Sequence, residues 1–372
     1  MSLPHPPGDS TASTTGPQGH TRRATASVSI IIVNFNGAED VIRCLGSLAQ
    51  HDYDSYEVIV VDNASIDDSV SRIRAQFPDV KLIASQENLG FGGGNNRGAA
   101  EATGEFLAFI NPDTTVEPDW LRPLVSALQE DPTAGIATTR LLMMAPPHPI
   151  NAAGNYVHFT GFGYLRGWNQ PADALMQRDE IFAISGAAFM MRRTLYEELG
   201  GFDLIFYPAY VEDIDLAWRV RLAGYRVIYV PESVVYHDYT LTFHTGKYSM
   251  LERHRQQMLV KNYRWATLLV LLPGLLLAEV VTWGYALLSG PAHLRAKFAS
   301  YSWFFKRWGA VMAARRRTQQ MRRVPDRAIL KHTTHRLAYS QANTGLAAKI
   351  GTYVIDPIFY VLHRFSLFVI RW

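Results

Sequence analysis

Apolar runs alternate with helical segments four times in the first third of the chain, and this alternation constrains the fold more than any other feature of the sequence. The first run, Val28 to Val33, is rich in β-branched residues, which is typical of a parallel strand buried on both faces. Strands separated by single helices favour a sheet with helices on both sides. The sequence therefore predicts an α/β fold with a doubly wound, mainly parallel sheet. Such sheets bind ligands at the edge where the strands end.

Polar residues collect at the ends of these predicted strands. Asn36 lies in the loop after the first strand, Asp62 closes the second, and Asn111 and Asp113 follow a later one. Asp62 is suited to accept hydrogen bonds from a base or ribose, although Asp also ends strands by capping a turn. A carboxylate at Asp113 is the hard oxygen ligand that Mg²⁺ or Mn²⁺ prefers when phosphates and water complete the shell. The alternative is an ordinary turn.

A second group of acids begins a predicted helix over residues 211–223. Glu212 and Asp213 lie at its start, where the helix dipole stabilises negative charge, so capping competes with catalysis as their role. One of the two is a candidate general base. Asp215 is predicted to pair with Arg219 four residues later. His237 follows a late strand and could complete a metal site, with a purely structural histidine as the alternative.

The segment from Glu87 to Gly98 is rich in Asn and Gly and is predicted as a loop that leads into a helix ending at Thr103. Its glycines would let backbone amides approach a diphosphate, and its asparagines could add side-chain amides. The candidate residues for binding a diphosphate ligand here are Asn88, Gly90, Asn95 and Asn96. The segment is neither a P-loop nor a GxGxxG fingerprint, which argues against kinases and dehydrogenases.

The C-terminal part of the chain differs in composition. Of the 36 Lys and Arg and 33 Asp and Glu, 15 bases but only two acids follow residue 290, so this part carries about +13. Ala266 to Leu288 is apolar enough to cross a bilayer, although Pro273 and Glu279 make it an imperfect span. Basic and aromatic residues together suit an anionic membrane surface. A helical appendage or a homodimer contact is the alternative, and no nucleic-acid motif is present.

The predicted organisation has three parts. Residues 1–27 are rich in Ser, Thr, Pro and Gly without an apolar run, which predicts a disordered tail and no signal peptide. Residues 28–262 form the α/β domain, and residues 263–372 form a helical, basic, membrane-associated region. The expected location is the cytoplasmic face of the cell membrane. The single cysteine, Cys44, lies in an apolar helical run and is predicted to be a small core residue.

Several short motifs occur together in one order, and this order carries a family resemblance. They are VSIIIVNFNG (28–37), VDNAS (61–65), NLGFGGGNNRG (88–98), FINPDT (109–114), GGFD (200–203) and EDIDLAWR (212–219). Over about residues 28–262 the chain resembles glycosyltransferase family 2, and in particular its rhamnosyltransferase-like branch. The resemblance implies a GT-A fold, an inverting mechanism and a divalent metal cofactor.

The resemblance also implies roles for particular residues. Asp62 would contact the nucleotide base, Asp113 would hold the metal on the diphosphate, and Asp213 would be the base. His237 lies where many members place a further metal contact. One departure is Asn111, which stands where a fuller Asp-x-Asp motif would have an acid. A second is Lys261, which stands in the Gln place of the Gln-x-x-Arg-Trp motif of processive synthases and argues against a polymer-extruding enzyme.

The function expected from these features is transfer of a sugar from a nucleotide-diphosphate donor to a hydroxyl group. By resemblance the donor is dTDP-L-rhamnose, with UDP- and GDP-sugars as alternatives, and the acceptor is a lipid-linked or cell-envelope glycan. Two other classes stay open. One is a non-catalytic scaffold of GT-A shape in an envelope-glycan assembly complex. The other is a sugar nucleotidyltransferase, which usually carries a basic glycine-rich loop after its first strand.

Overall fold

A computed structural model describes residues 26–242, 244–341 and 345–372. The predicted tail over residues 1–27 lies almost wholly outside the described residues. The strands are β1 (Val28–Asn34), β2 (Tyr56–Asp62), β3 (Lys81–Ala84), β4 (Phe106–Ile110), β5 (Thr114–Val116), β6 (Ala134–Met143), β7 (Ile150–Ala152), β8 (Asn155–Val157), β9 (Gly163–Leu165), β10 (Asp179–Glu180), β11 (Ala188–Arg192) and β12 (Arg226–His237).

The helices fall into an N-terminal set, which alternates with the strands, and a C-terminal set, which follows β12. They are α1 (Ala38–Leu48), α2 (Ser69–Gln76), α3 (Gly90–Ala99), α4 (Leu121–Glu130), α5 (Arg193–Glu198), α6 (Glu212–Leu222), α7 (Thr245–Asn262), α8 (Trp265–Ser289), α9 (Pro291–Lys306), α10 (Trp308–Met321), α11 (Asp326–Leu330), α12 (Leu346–Ile350) and α13 (Asp356–Val369). Short 3₁₀ turns occupy Leu204–Phe206 and Tyr339–Gln341, and a π-helical turn occupies Gly351–Ile355.

The main sheet is mixed, whereas the sequence predicted a mainly parallel one. Its strands lie in the order β10, β12, β6, β11, β4, β1, β2 and β3, with β5 paired to β12 and β7 paired to β6. Strand β1 is parallel to β2 and β4, but β11 runs antiparallel to both β4 and β6. The chain reaches β11 through the irregular excursion after β6, without the crossover helix that a parallel connection needs.

Helices cover both faces of the sheet, as predicted. Along β1, Ile31 packs in the core on one face, whereas Ile30 and Ile32 pack in the core on the other face. Successive side chains of a strand point to opposite faces, so a strand that is buried on both sides must be apolar at nearly every position. This explains the apolar character of residues 28–33, in which Ser29 is the one polar residue.

Strand β12 is one continuous strand of 12 residues, and His237 is its last residue instead of following it. Its pairing with β6 shifts register between Val230 and Val234. Pro231 lies within this interval and has no amide hydrogen for the ladder, so the strand continues past a local irregularity. The continuous strand carries His237 to the same edge of the sheet as the loop after β4.

The Asn- and Gly-rich segment forms a helix from Gly90 instead of the predicted loop. A Cβ atom on Gly94 would lie 2.6 Å from Val33 of β1, and one on Gly98 would lie 2.6 Å from Ile31. These glycines therefore let α3 approach the sheet more closely than any other residue would allow. Close packing of α3 on β1 therefore explains Gly94 and Gly98. From the sequence alone, the glycines of this segment are candidates for binding a diphosphate.

The C-terminal helices pack against the α/β body. Backbone hydrogen bonds run from Phe159 to Thr334 (3.1 Å) and from Thr334 to Val157 (2.9 Å). Helix α8 is, among the described residues, the one helix long and apolar enough to cross a membrane by length and composition. The domain boundary after residue 262 and the membrane association of this region stay predictions.

Candidate active site

Asp113 and His237 face each other at the carboxyl edge of the sheet. Strand β12 pairs with β5 so that His237 lies opposite Thr114, and this register places Asp113 Oδ1 3.3 Å from His237 Nε2. Both atoms are buried, and neither has a hydrogen-bond partner. His237 Nδ1 lies 3.1 Å from the side-chain oxygen of Asn151. Donation from Nδ1 to Asn151 leaves the Nε2 lone pair directed at Asp113.

This pair fits two protein ligands of a divalent cation. A buried carboxylate oxygen and a buried imidazole nitrogen without partners are costly to leave unbonded, and a cation between them would satisfy both. Across residues 26–242, 244–341 and 345–372, no three His, Cys, Asp or Glu side chains converge as a metal cluster. The protein therefore offers this pair, and a bound ion would take its remaining ligands from phosphate oxygens and water.

Asp62 lies at the end of β2, directly opposite Asn34 of β1. It is buried, and its carboxylate accepts hydrogen bonds from the Asn34 side chain (3.1 Å) and from the backbone amide of Ser65 (3.0 Å). Asn36 joins the same loop, because its side-chain oxygen accepts a bond from Ile66 N (2.8 Å). Asp62 and Asn36 thus shape the two neighbouring loops that follow β1 and β2. Their direct contact with a nucleotide stays a prediction.

Asn88 and Gly90 join the start of α3 to the loop after β2. The side-chain oxygen of Asn88 accepts hydrogen bonds from the Asn63 side chain (2.9 Å) and from Gly90 N (2.8 Å). Gly90 has a φ of +72°, and a Cβ atom there would lie 2.6 Å from Pro208 O. Only glycine fits this position, for steric reasons. A contact of either residue with the donor stays a prediction.

Asn95 and Asn96 are bonded within the protein. The Asn95 side chain donates to Phe91 O (3.0 Å). The Asn96 amide group donates to Phe202 O (2.9 Å), and its oxygen accepts from Phe202 N (2.8 Å) and from the Tyr196 hydroxyl (2.5 Å). Asn96 therefore fixes the GGFD turn onto α3. These bonds give both residues a structural role, and their predicted role in donor binding is untested.

Asp213 is held in place by backbone amides. Its Oδ2 accepts a hydrogen bond from Gly186 N (2.9 Å), and its Oδ1 accepts one from Ile214 N (2.8 Å). The neighbour of Gly186, Ala187, accepts a backbone bond from Asn111 (2.9 Å). The segment 186–187 thus ties the loop that carries Asp113 to the first turn of α6. No sequence motif predicted this link.

Tyr239 lies beside His237 of the candidate metal pair. Its ring stacks on the His237 ring with centroids 5.2 Å apart. Burial raises the pKa of Tyr239, and the negative charges of Asp113 and Asp213 raise the pKa further. Segment 186–187, which bonds to Asp213 and to the Asn111 backbone, places the metal pair and the candidate base side by side in one site.

The two residues before α6 have unusual backbone conformations. Tyr210 has a φ of +75° and Val211 a φ of +77°. Positive φ is strained for a bulky residue and for a β-branched residue, and strain of this kind gathers at functional sites. This turn positions Glu212 and Asp213 in the site. We infer that the strained backbone is required to hold them there.

Glu212 is buried and chemically different from Asp213. Its Oε2 has no hydrogen-bond partner, and it lines a small pocket with Gly92, Gly93 and Tyr207. Burial, followed by the negative charge of Asp213, raises the pKa of Glu212 well above its ordinary value. Burial also raises the pKa of Asp213, although backbone hydrogen bonds oppose that rise. Of the two candidate bases, Glu212 therefore has the stronger shift toward the protonated form.

Beneath the site lies a buried charge network that the sequence only partly predicted. The pairing of Asp215 with Arg219 is confirmed, at 2.8 Å. Lys261, which is fully buried, adds contacts of 2.7 Å to Asp215 and 2.7 Å to Asp203 of the GGFD turn. Lys261, which replaces the Gln of the Gln-x-x-Arg-Trp motif, is thus a buried cation that binds two acids. It links α7 to the turn beside the pocket.

We expect Lys261→Met to destabilise the fold strongly, because it leaves Asp203 and Asp215 short of a buried counter-charge. The free energy of unfolding should fall by about 3–5 kcal/mol in urea titrations. The matched control is Arg317→Met, which removes a largely exposed cation 3.8 Å from the same Asp203. The control should cost less than about 1 kcal/mol. Equal stabilities for the two variants would contradict this role of Lys261.

The arrangement described so far agrees with what comparison with known proteins shows. Residues 29–200 match the sequence profile of the family described as "Glycosyl transferase family 2". These residues belong to glycosyl transferase family 2. The family 2 region contains Asp62 and Asp113, whereas Asp213 and His237 lie beyond the matched residues.

Curated relatives agree with this membership. The chain is 31% identical over 227 residues to the O-antigen biosynthesis protein RfbC of Myxococcus xanthus. This alignment covers 58% of this chain and 17% of that protein. It is 24% identical over 237 residues to the N-acetylglucosaminyl-diphospho-decaprenol L-rhamnosyltransferase of Mycobacterium tuberculosis. That alignment covers 57% of this chain and 76% of the relative. Over the first relatives it matches, the chain spans less than half of their length.

Solved structures share the fold. The crystal structure of GalNAc-T7 with UDP, GalNAc and Mn²⁺ superposes with a TM-score of 0.53 at 16% identity, covering 64% of this chain and 48% of that one. This likeness supports the predicted GT-A-like α/β architecture. It concerns the fold alone.

Proposed function

We propose that this protein is an inverting glycosyltransferase that uses a divalent metal and moves a sugar from a nucleotide-diphosphate donor to a hydroxyl of a glycan acceptor. The observation that carries the proposal is the juxtaposition of the Asp113–His237 pair with Asp213. The first two offer unpartnered ligand atoms, and Asp213 offers a carboxylate fixed by two backbone amides. A scaffold would need neither feature.

The proposed mechanism is a single displacement at the anomeric carbon. Asp213 accepts the proton of the acceptor hydroxyl while the oxygen forms a bond to that carbon. The bond from the anomeric carbon to the diphosphate oxygen breaks, and its electron pair leaves with the nucleotide diphosphate. A divalent ion on Asp113 and His237 would supply charge neutralisation of the leaving group. One displacement inverts the anomeric configuration.

For the donor we propose dTDP-L-rhamnose. The support is the similarity of the sequence to an L-rhamnosyltransferase and to a protein of O-antigen biosynthesis. UDP- and GDP-sugars are the alternatives, and the GalNAc-T7 structure contains UDP on a similar fold. The ordered loop built on Asp62 and Asn36 would meet the nucleotide, because it lies at the edge where strands β1 and β2 end.

For the acceptor we propose a lipid-linked or cell-envelope glycan, presented at the cytoplasmic face of the membrane. The name of the mycobacterial relative specifies a diphospho-decaprenol acceptor. For the metal we propose Mg²⁺ or Mn²⁺, and the solved GalNAc-T7 complex contains Mn²⁺. The partly exposed Tyr207 and the glycines of α3 would border the acceptor pocket beside Glu212.

The experiment that tests the proposed function is a transfer assay with the full chain. The purified protein is incubated with dTDP-L-rhamnose, Mn²⁺ and a membrane lipid extract from the source organism. Mass spectrometry of the lipids should reveal addition of one deoxyhexose. If UDP- or GDP-sugars support transfer instead, the donor is corrected and the transferase stands. If no donor supports transfer, the result favours the non-catalytic scaffold. Product from a sugar phosphate and a nucleoside triphosphate would identify a nucleotidyltransferase.

The pH dependence of transfer should report Asp213. Burial raises the pKa of this carboxyl from the ordinary value of 3.8. Because only the unprotonated form accepts a proton, kcat/KM should fall as the pH drops through this raised pKa. We expect the midpoint of the acid limb above the ordinary value of 3.8. The pH profile of the residual activity of Asp213→Asn should lack this acid limb. An unchanged limb in that variant would assign it to another group.

A further inference from the structure

Helix α8 lies along the body of the protein over its whole length. Its fully buried residues recur every three or four positions, so a single face packs on the protein from the first turn to the last. These residues are Thr267, Leu271, Gly274, Ala278, Thr282 and Ala286. Gly274 sits so close to Phe159 that a Cβ atom would lie 2.6 Å from the ring. The small residues of α8 thus serve contact with the catalytic body.

The acid within α8 also faces the protein. Glu279 contacts Arg255 at 2.6 Å and Lys297 at 2.8 Å, and it accepts a hydrogen bond from the Tyr301 hydroxyl. Arg255 and Lys297 are buried. If α8 left the body to cross a bilayer, these two buried cations would lose Glu279 as a partner, which is costly. Glu279 therefore favours a helix that stays on the body.

The opposite face of α8 is apolar and exposed. Its side chains are Leu269, Leu272, Leu276, Val280 and Leu287, each between 47% and 72% exposed. Exposed apolar side chains continue onto α9 and α13, two of the helices that touch α8. They are Phe298 and Phe305 on α9 and Val361, Phe365 and Phe368 on α13. Trp283 of α8 meets Phe298 at 4.9 Å, and Trp372 beyond α13 bonds to Thr267 (2.9 Å).

The exposed charges of the C-terminal helices, which carry this apolar surface, have one sign. From Arg264 onward, within the described residues, every exposed charged side chain is basic. The three acids of this part, Glu279, Asp326 and Asp356, are buried or half-buried. The exposed bases are Arg264, Arg295, Lys306, Arg307, Arg316, Arg317, Arg323, Lys331, Arg336, Lys349, Arg364 and Arg371. A surface of this kind attracts anions and repels a copy of itself.

We propose that α8, with the adjoining exposed faces of α9 and α13, lies flat in the headgroup layer of an anionic lipid bilayer. The leucines of α8 enter the boundary with the acyl chains, and the basic side chains contact lipid phosphates. A homodimer through the same face would bring basic surfaces together, so the charge favours the bilayer. The proposal stands independently of the catalytic assignment. It turns the predicted span into an in-plane anchor.

Depth measurements on labelled cysteines separate the two orientations. Cys44 is buried, and burial raises the pKa of its thiol to about 12, so introduced cysteines should react alone. Nitroxide labels are placed in the variants Leu269→Cys, Leu276→Cys and Leu287→Cys. The first and last positions are about 27 Å apart along the helix, close to the hydrocarbon thickness of about 30 Å. A span would therefore place them at opposite interfaces.

With vesicles of phosphatidylcholine and phosphatidylglycerol, we expect all three labels at a similar shallow depth by oxygen and nickel-chelate accessibility. Ser71→Cys on the exposed face of α2 is the matched control and should stay in water. A depth profile that peaks at position 276, with ends at opposite surfaces, would overturn the in-plane anchor in favour of a span. Labels that are immobilised without vesicles in a sedimenting dimer would also overturn it.

A charge placed on the outer face should weaken binding to the bilayer. We expect Leu276→Glu to lower the partition coefficient on the anionic vesicles by at least about tenfold. The matched control is Met176→Glu, an acid at a similarly exposed apolar position on the α/β body, which should bind like the native chain. Circular dichroism checks folding of both variants. Equal binding of the native chain and Leu276→Glu, or equal binding to neutral and anionic vesicles, would contradict the proposal.

Discussion

Replacing Asp213 by Asn is expected to lower kcat for sugar transfer by about 10²–10⁴-fold, which is the range that general-base catalysis contributes. Asn has nearly the same shape and keeps an oxygen for the Gly186 amide, which bonds Asp213 at 2.9 Å. It cannot accept the proton of the acceptor hydroxyl. The loss should therefore appear in kcat under conditions where chemistry limits the rate, and nucleotide affinity should change by no more than about twofold.

Glu212→Gln is the matched comparison for this prediction. Glu212 neighbours Asp213, but burial and the Asp213 charge raise its pKa well above the ordinary value. An amide is a close mimic of a neutral carboxyl group, so Glu212→Gln should cost far less activity than Asp213→Asn. The reverse order would move the catalytic base to Glu212.

Replacing Asp113 by Ala is expected to abolish metal-dependent nucleotide binding. Asp113 Oδ1 and His237 Nε2 are unpartnered ligand atoms 3.3 Å apart, and removal of the carboxylate leaves only the imidazole of this pair. We expect the affinity of Mn²⁺ in the presence of dTDP to fall by more than about 100-fold. Electron paramagnetic resonance of free Mn²⁺ measures this binding directly, without any acceptor or turnover.

Asp238→Ala is the matched control, because it removes a neighbouring aspartate whose exposed side chain pairs with Arg43 at 3.5 Å. It should bind Mn²⁺ and dTDP like the native chain. If Asp113→Ala kept its Mn²⁺ binding, the metal would have to be removed from the proposed mechanism, although the base and the transferase reaction could stand.

The sequence predicted the half of the site that depends on strand ends. Asp62 and Asp113 follow strands whose parallel partners fix a common edge, so local patterns sufficed to group them. The partners that hold these residues could not be predicted. Asn151, which orients His237, comes from β7 in the irregular excursion, and Gly186, which bonds Asp213, has no signature of its own. Both contacts arise from tertiary packing.

Two errors have a common physical cause. The Asn- and Gly-rich segment was predicted as a loop, but it forms α3 from Gly90, and Gly94 and Gly98 let this helix pack directly on β1. The sheet was predicted as mainly parallel, but β11 enters antiparallel between β4 and β6. Local sequence records that a residue is small or that a segment is a strand. It does not record which neighbour approaches it or from which direction.

The orientation of α8 was also beyond the sequence. Both of its faces are apolar or small, so its hydropathy alone agrees equally with a span and with a packed helix. The position of Glu279 decides in favour of packing, because Arg255 and Lys297 come to it from other helices. Without those partners, the acid indicated only that a span would be imperfect.

The most direct test of the central claim is calorimetric titration of the native full chain with dTDP, UDP and GDP, each with and without Mn²⁺. A donor site built on Asp113 and His237 predicts that one nucleotide binds in preference to the others and that binding requires the metal. Tight binding that ignores Mn²⁺ would contradict the metal site, and no binding of any nucleotide would contradict the transferase itself.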